Sequence, residues 1–324
     1  MNFSSVENKR ILLSCLNWGM GHTARCIGLI EELLNKNNAI TFAGNSQQIS
    51  IIQTYFPHLT CIILDGYPFD FQETESFSKS IWRNKWKLFE FLKTEKKFVN
   101  NLLKSQQFDL ILSDHRYGFR SQECTSIFIT HQFNLPLAGM QRLFSIFHRY
   151  WMNKYDVIWI MDQMPENLAG KLSRIKPNQK KVEYIGWHSR FKHKTREKKQ
   201  SENQVFLSVL LLSGPDINHA ALLNTFVKYS NKKNKQIIIG SANAIKKLKA
   251  DNSKYEMIIS NDWKTCDEYL VHAGEIFSFL GYSTLMDSQF LEAQFHLIPC
   301  PMQLEQIYLS KIHVKDVKHP LQIS

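Results

Sequence analysis

Short runs rich in β-branched and other apolar residues recur along the whole chain, and most are separated by stretches with helical periodicity. In the first half these runs are ILLSCLN (11–17), AITFAGN (39–45), CIILDG (61–66), DLILSD (109–114), SIFITHQF (126–133) and DVIWIMD (156–162). The second half continues with VEYIGW (182–187), VFLSVLLLSG (205–214), QIIIG (236–240), EMIIS (256–260), EIFSFLG (275–281) and FHLIPC (295–300). Between the first two runs, TARCIGLIEELLNK places Ile27, Ile30, Leu33 and Leu34 on one helical face. Near-continuous apolar strands alternating with amphipathic helices specify parallel sheets covered on both faces. The expectation is an α/β chain with two Rossmann-like sheets of about six strands each. Pro165, Gly170 and Pro177 punctuate polar sequence in 161–181, which divides the chain into domains 1–164 and 165–324. The basic stretch KHKTREKKQSENQ (192–204) reads as a solvated loop of the second domain. Ligands of such sheets bind beyond the carboxyl ends of the strands, here in an expected interdomain cleft.

With 324 residues, 44% of them hydrophobic, the chain can build two cores. A formal charge of +11 favours anionic partners: nucleotides, phospholipid headgroups or nucleic acid. No RNP, KH or helix-turn-helix pattern occurs, so nucleic acid is not expected. Cys15, Cys26, Cys61, Cys124, Cys266 and Cys300 lack CxxC or zinc-like spacing. They read as reduced thiols of a cytoplasmic protein, with Cys15, Cys61 and Cys300 packed within strands. No run approaches the roughly 18 apolar residues of a spanning helix, so the protein is expected to be soluble or peripheral.

Three stretches carry chemistry. In NWGMGHTAR, Gly19 and Gly21 let the backbone turn sharply beyond the first strand, and a helix follows from about Thr23. His22 then stands at the positive end of that helix, which favours the neutral imidazole a general base needs. The pattern is not GxGxxG, and no acidic residue about 20 positions on suits a dinucleotide ribose. In LLLSGPD, the Ser213-Gly214 turn offers backbone N–H groups to a diphosphate, or is an ordinary turn capped by Ser213 or Asp216. In FLGYSTLMD, Gly281 ends a strand, Ser283 and Thr284 open a helix suited to phosphate, and Asp287 suits ribose hydroxyls. Glu305 and Gln306 in PMQLEQ suit sugar hydroxyls, or Glu305 is a favourable charge in a first helical turn.

In order and spacing, the glycine turn with histidine, the SGP turn and the GYSTLMD…PMQLEQ block resemble the MurG-like, family 28-type GT-B glycosyltransferases. DLILSDHRYG (109–118) and NLAGKLS (167–173) resemble a Bacteroidetes-like subgroup of these. The resemblance implies an inverting, metal-independent transfer of a hexose or N-acetylhexosamine from a UDP-sugar to an acceptor hydroxyl. By it His22 is the catalytic base or an acceptor-phosphate contact, Asp114 is a second candidate base, and Gly19 and Gly21 form the acceptor-side turn. Ser213 and Gly214 would line the donor diphosphate, with Arg190 of GWHSR near the phosphates. Gly281, Ser283 and Thr284 would belong to the same donor site, Asp287 replacing the usual glutamate on the ribose. Glu305 and Gln306 would hold the donor sugar. No cofactor is expected beyond the UDP-sugar substrate, and no DxD pair calls for a metal.

Phe279 and Leu280 stand where relatives carry Arg-Ser, and few residues follow Gln306 to form the family's last helices. Two alternatives follow: a UDP-sugar 2-epimerase-like enzyme, or a nucleotide-sugar-binding protein with weakened catalysis. Finally, the stretch 76–104 holds eight Lys or Arg and six aromatic residues. Ile81, Leu88, Leu92, Val99 and Leu102 form a stripe suited to covering the sheet, while Trp82, Trp86 and Phe89 widen the apolar surface as in an interfacial helix. QRLFSIFHRYWMNKY (141–155) poses the same choice. Contact with an anionic membrane would place the protein at the inner face of the cytoplasmic membrane, with a lipid-linked or cell-envelope acceptor.

Overall fold

The computed structural model describes residues 2–67, 83–136, 142–175, 179, 181–194, 207–214, 218–249, 255–301, 303–313 and 321–323. The chain divides into two compact units, Met1–His188 and Ser189–Ser324. The first contains strands β1 (Arg10–Cys15), β2 (Ala39–Gly44), β3 (Thr60–Ile63), β4 (Leu110–Asp114), β5 (Thr125–Thr130), β6 (Val157–Ile160) and β7 (Val182–Tyr184). They form one parallel sheet of order β3-β2-β1-β4-β5-β6-β7. Helices α1 (Gly21–Leu34), α2 (Ser46–Tyr55), α3 (Lys85–Ser105) and α4 (Arg142–Met152) belong to the same unit.

The central strands show why the sheet is parallel and covered. Every residue of β4 is buried, as is every residue of β1 after Arg10. Such strands need a helix on each face. Helix α1 begins at Gly21 rather than Thr23 and buries Ile27, Ile30 and Leu33 of the predicted stripe. Asn45 starts α2 with a capping box closed by Gln48, which satisfies two otherwise orphaned backbone donors. The run at 182–187, read from sequence with the second half, supplies β7, which pairs with β6. The two units therefore meet at His188–Ser189, downstream of the expected joint at 164.

The second unit contains β8 (Leu207–Leu212), β9 (Lys235–Gly240), β10 (Glu256–Ile259), β11 (Ala273–Phe279), β12 (Gln294–Ile298) and β13 (Leu321–Ile323). Its sheet runs β10-β9-β8-β11-β12-β13, parallel except for the antiparallel β12–β13 pair. Helices α5 (His219–Tyr229), α6 (Ala242–Lys249), α7 (Trp263–Val271), α8 (Tyr282–Asp287) and α9 (Leu304–His313) accompany it. Leu210, Leu222, Phe226, Ile238 and Phe277 lie in its core, and so does Phe279. Phe279 and Leu280, the two residues before Gly281, are thus interior residues. Cys15 lies in β1 and Cys61 in β3; Cys300 is buried just beyond β12 rather than within it.

Helix α3 has two characters. Leu88, Leu92 and Val99 are buried as predicted and Leu102 is half-buried, while Ile81 and Trp82 lie outside the described residues. On its other side Trp86 and Phe89 are exposed, and Phe89 meets Phe147 and Trp151 of α4 at ring distances of 6.1 and 6.3 Å. Ile146 and Tyr150 of α4 are exposed as well. Among the described residues no helix is long and apolar enough to cross a membrane.

The loop after β4 is pinned from within. Glu95 interrupts the apolar stripe of α3 and is fully buried. It accepts hydrogen bonds from Arg116 Nε at 2.7 Å and from the Gly118 amide at 3.0 Å. Arg116 also donates to the Asp65 carbonyl, while its own carbonyl accepts from the Ser113 and Tyr155 hydroxyls, each of these three bonds measuring 2.6 Å. A Cβ at Gly118 would lie 2.4 Å from the Leu92 carbonyl oxygen, so only glycine lets the loop approach α3 this closely.

Candidate active site

In the first unit the strand order reverses between β1 and β4, and the loops beyond their carboxyl ends carry the polar cluster, as the rule for open α/β sheets requires. Gly19, with φ of +81°, turns the chain out of β1, and Gly21 is the first residue of α1. His22 follows at once. Asp114 ends β4, in register with Cys15 of β1. The His22 Nδ1 lies 3.0 Å from Asp114 Oδ2. The His22 side chain keeps 16% of its surface exposed and that of Asp114 keeps none. Of the two candidate bases, only the histidine reaches the surface; the carboxylate is fully buried.

Arg25, one helical turn beyond His22, closes the cluster. Its Nε donates to Asp114 Oδ2 at 2.8 Å, and Nη2 makes a shorter contact with Oδ1. Nη1 donates to His131 Nδ1 at 2.6 Å. Arg25 Nη2 also approaches His22 Nδ1 to 2.8 Å. Burial pushes the His22 imidazole below the usual histidine range; the Arg25 cation adds to this, and Asp114 opposes it. Burial also works against an ionised Asp114, but Arg25 and His22 more than offset it and hold the carboxyl well below its ordinary range.

Three further histidines line this region. His115 adopts the left-handed conformation at φ of +60°, and its Nε2 meets the Thr130 hydroxyl at 2.7 Å. Its ring centroid lies 5.2 Å from that of His22, 5.9 Å from His131 and 6.3 Å from His148. On α4, His148 Nε2 donates to the Gln132 carbonyl at 2.8 Å and Nδ1 accepts from the Tyr117 hydroxyl at 2.7 Å. Burial lowers His148 to about 4 and His115 well below its usual value, so both rings are neutral at pH 7. Sequence reasoning missed Arg25, His115, His131 and His148. The available signal was a charged residue on the apolar face of α1 and histidines immediately beyond two strands.

In the second unit the strand order reverses between β8 and β11. Ser213 and Gly214 follow β8, Gly214 with φ of +72°, while Asp216 lies outside the described residues. Gly281 precedes α8 with extended backbone, and no side chain caps that helix start. Ser283 and Thr284 occupy the first turn. Asp287 is the last residue of α8: Oδ1 accepts from the Ser189 hydroxyl at 2.6 Å and Oδ2 from Arg190 Nη1 at 2.9 Å. Burial raises the Asp287 pKa, against the pull of Arg190 and Ser189. Arg190 Nε donates to Asp267 Oδ1 at 2.8 Å, and its guanidinium lies over the Phe191 ring at 4.4 Å. Arg190 is therefore held between two carboxylates.

Glu305 is half-exposed in the first turn of α9. Gln306 folds back on its own loop: Oε1 accepts from the Cys300 amide at 2.7 Å, and Nε2 donates to Gln303 Oε1 at 2.5 Å. Both ends of that amide are engaged inside the unit. Among the described residues no group of three or more His, Cys, Asp or Glu side chains is placed to hold a metal ion.

No protein-family model and no curated protein matches this sequence. Solved structures do. The chain is similar to Arabidopsis thaliana UGT89C1 complexed with UDP-L-rhamnose, at 15% identity and a TM-score of 0.62, over 96% of this chain and 83% of that one. It is similar to the spinosyn rhamnosyltransferase SpnG complexed with thymidine diphosphate, at 11% identity and a TM-score of 0.59, over 93% and 83% of the two chains. A Listeria monocytogenes protein described as a UDP-N-acetylglucosamine 2-epimerase matches at 10% identity and a TM-score of 0.54, over 85% and 75%. The shared fold is that of the GT-B glycosyltransferases, with two Rossmann-like domains.

Proposed function

We propose that this chain is an inverting, metal-independent glycosyltransferase of the MurG-like group, moving a hexose or N-acetylhexosamine from a UDP-sugar to an acceptor hydroxyl. The observation that carries the reading is the His22–Asp114 pair at the carboxyl ends of β1 and β4, in a chain with the GT-B fold. Each domain supplies one half of the chemistry. In the first, His22 donates Nδ1–H to Asp114 and presents Nε2 to the acceptor hydroxyl, taking its proton as the oxygen attacks the anomeric carbon. Asp114 orients the ring and stabilises the imidazolium. Gly19 and Gly21 shape the turn that presents His22. In the second, amides at Ser213–Gly214 and at the Gly281–Thr284 turn take the charge of the departing UDP, as backbone dipoles do at oxyanion sites.

Asp287 holds the ribose, using lone pairs left beside its bonds to Ser189 and Arg190. Arg190 acts here by fixing that carboxylate and by adding positive charge near the phosphates. Glu305 faces the sugar, and Gln306 shapes the Cys300–Pro301 loop beside it. The aromatic surface of α3 and α4, with exposed Lys87, Lys93 and Arg149, suits peripheral contact with anionic lipid at the inner face of the cytoplasmic membrane.

Calorimetry with UDP and a panel of UDP-sugars tests the donor half. Asp287→Ala is expected to weaken UDP binding about tenfold or more, the value of a charge-assisted hydrogen bond. Glu305→Ala is expected to change sugar preference while UDP affinity stays the same; equal loss of UDP itself would contradict its place at the sugar. Conversion of a UDP-sugar with no acceptor present would point instead to 2-epimerase-like chemistry.

A further inference from the structure

The reading above leaves Arg25 unexplained, although it is the most costly side chain in the cluster. A guanidinium almost wholly withdrawn from water needs compensation for its lost hydration, and here all three of its nitrogens are engaged. It grips both oxygens of Asp114 in a fork, and the same Nη2 reaches the His22 nitrogen that faces Asp114. His22 Nδ1 thus has two rival neighbours. If Nδ1 carries the proton, it donates to Asp114 and leaves Nε2 as a base. If Nδ1 is bare, it accepts from Arg25, and the proton sits on Nε2, where the ring can abstract nothing.

We infer that Arg25 is a positioning residue which, through the shared Asp114 carboxylate and its own contact with Nδ1, sets the orientation and the proton count of the His22 imidazole. The inference rests on His22 being the base. The fork keeps Asp114 ionised and fixed in plane, so that its Oδ2 always faces Nδ1. The cation beside the ring disfavours a second proton, so the free protein holds His22 neutral. The other groups facing this ring do not replace Arg25. His115 from the β4 loop and His131 beyond β5 are its neighbours, His148 of α4 lies behind His115, and Cys26 of α1 lies 3.9 Å from Asp114. Among these, Arg25 and Asp114 are the permanent charges. A lysine could keep the charge of Arg25 but not its fork.

The test is side-chain NMR of the full chain with isotope-labelled histidine, the His22 signal being assigned by its loss in His22→Ala. In the wild type the neutral His22 ring is expected to carry its proton on Nδ1. In Arg25→Gln the pH midpoint of His22 is expected to rise by about one unit or more, a tenfold gain in proton affinity. Arg25→Lys is expected to rise less. An unchanged midpoint in a folded Arg25→Gln protein would overturn the inference. A wild-type ring protonated on Nε2 would overturn the base assignment on which the inference rests, its bare Nδ1 then accepting from Arg25, and that result is readable even if the variants do not fold. No sugar donor or acceptor enters this experiment. Coupling between Arg25 and His22 without turnover therefore refutes the base assignment alone, and turnover that depends on His22 without coupling refutes the role of Arg25 alone.

Discussion

Replacing His22 by alanine lowers turnover by about two to four orders of magnitude while UDP binding is retained, the usual range for removing a general base. UDP release from the best UDP-sugar of a panel, with cell extract as the source of acceptor, measures this. Asp114→Asn is expected to lower turnover as well, because the amide can donate to Nδ1 and so favours the wrong tautomer. The pH dependence carries a sign. Burial, with Arg25, depresses the His22 pKa, so the ring is in its base form at neutral pH. Activity should then fall only as pH drops through that depressed value, giving an acid limb below the usual histidine midpoint of about 6.5. A turnover rate unaffected by His22→Ala would refute His22 as the base, whereas donor binding without turnover, unaltered by His22→Ala, would make the chain a nucleotide-sugar-binding protein rather than a transferase.

Removing the Glu95 carboxylate has the largest expected effect on stability. Glu95 and Arg116 are both fully buried, and the pair holds the loop that follows Asp114. Glu95→Ala leaves Arg116 as an uncompensated buried cation and strips the Gly118 amide of its acceptor. The expected loss is about 3 to 5 kcal/mol in urea unfolding. Glu95→Gln keeps an acceptor for Gly118 and costs less. Pairing Glu95→Leu with Arg116→Met removes both charges and is expected to recover most of the loss, because well-packed apolar groups replace buried ion pairs at little cost. A Glu95→Ala change below about 1 kcal/mol would show that water reaches this pair and that the loop is held by other contacts.

The fold was legible because its signal is periodic. The β1, β4, β8 and β11 runs are apolar on both faces, which only a covered parallel sheet explains. Strand β13 was not, since three residues closing a sheet edge carry no period to detect. The β7 segment was seen as a strand but given to the wrong half, because pairing with β6 is a long-range contact that leaves no local mark. At the site, glycine turns exposed His22 and Ser213–Gly214 to a sequence reading. Asp114 was legible as a residue at a strand tip, yet its complete burial depends on Arg25 and on the packing around it. Gln306 shows the converse: a side chain of the right chemistry in the right motif whose hydrogen bonds are spent on its own loop.

The most direct test of the account is a crystal of the full chain soaked with a UDP-sugar. The account predicts the pyrophosphate against the backbone at Ser213–Gly214 and the Gly281–Thr284 turn, with the ribose hydroxyls on Asp287. A nucleotide lodged elsewhere, with Asp287 still bonded only to Ser189 and Arg190, would contradict it.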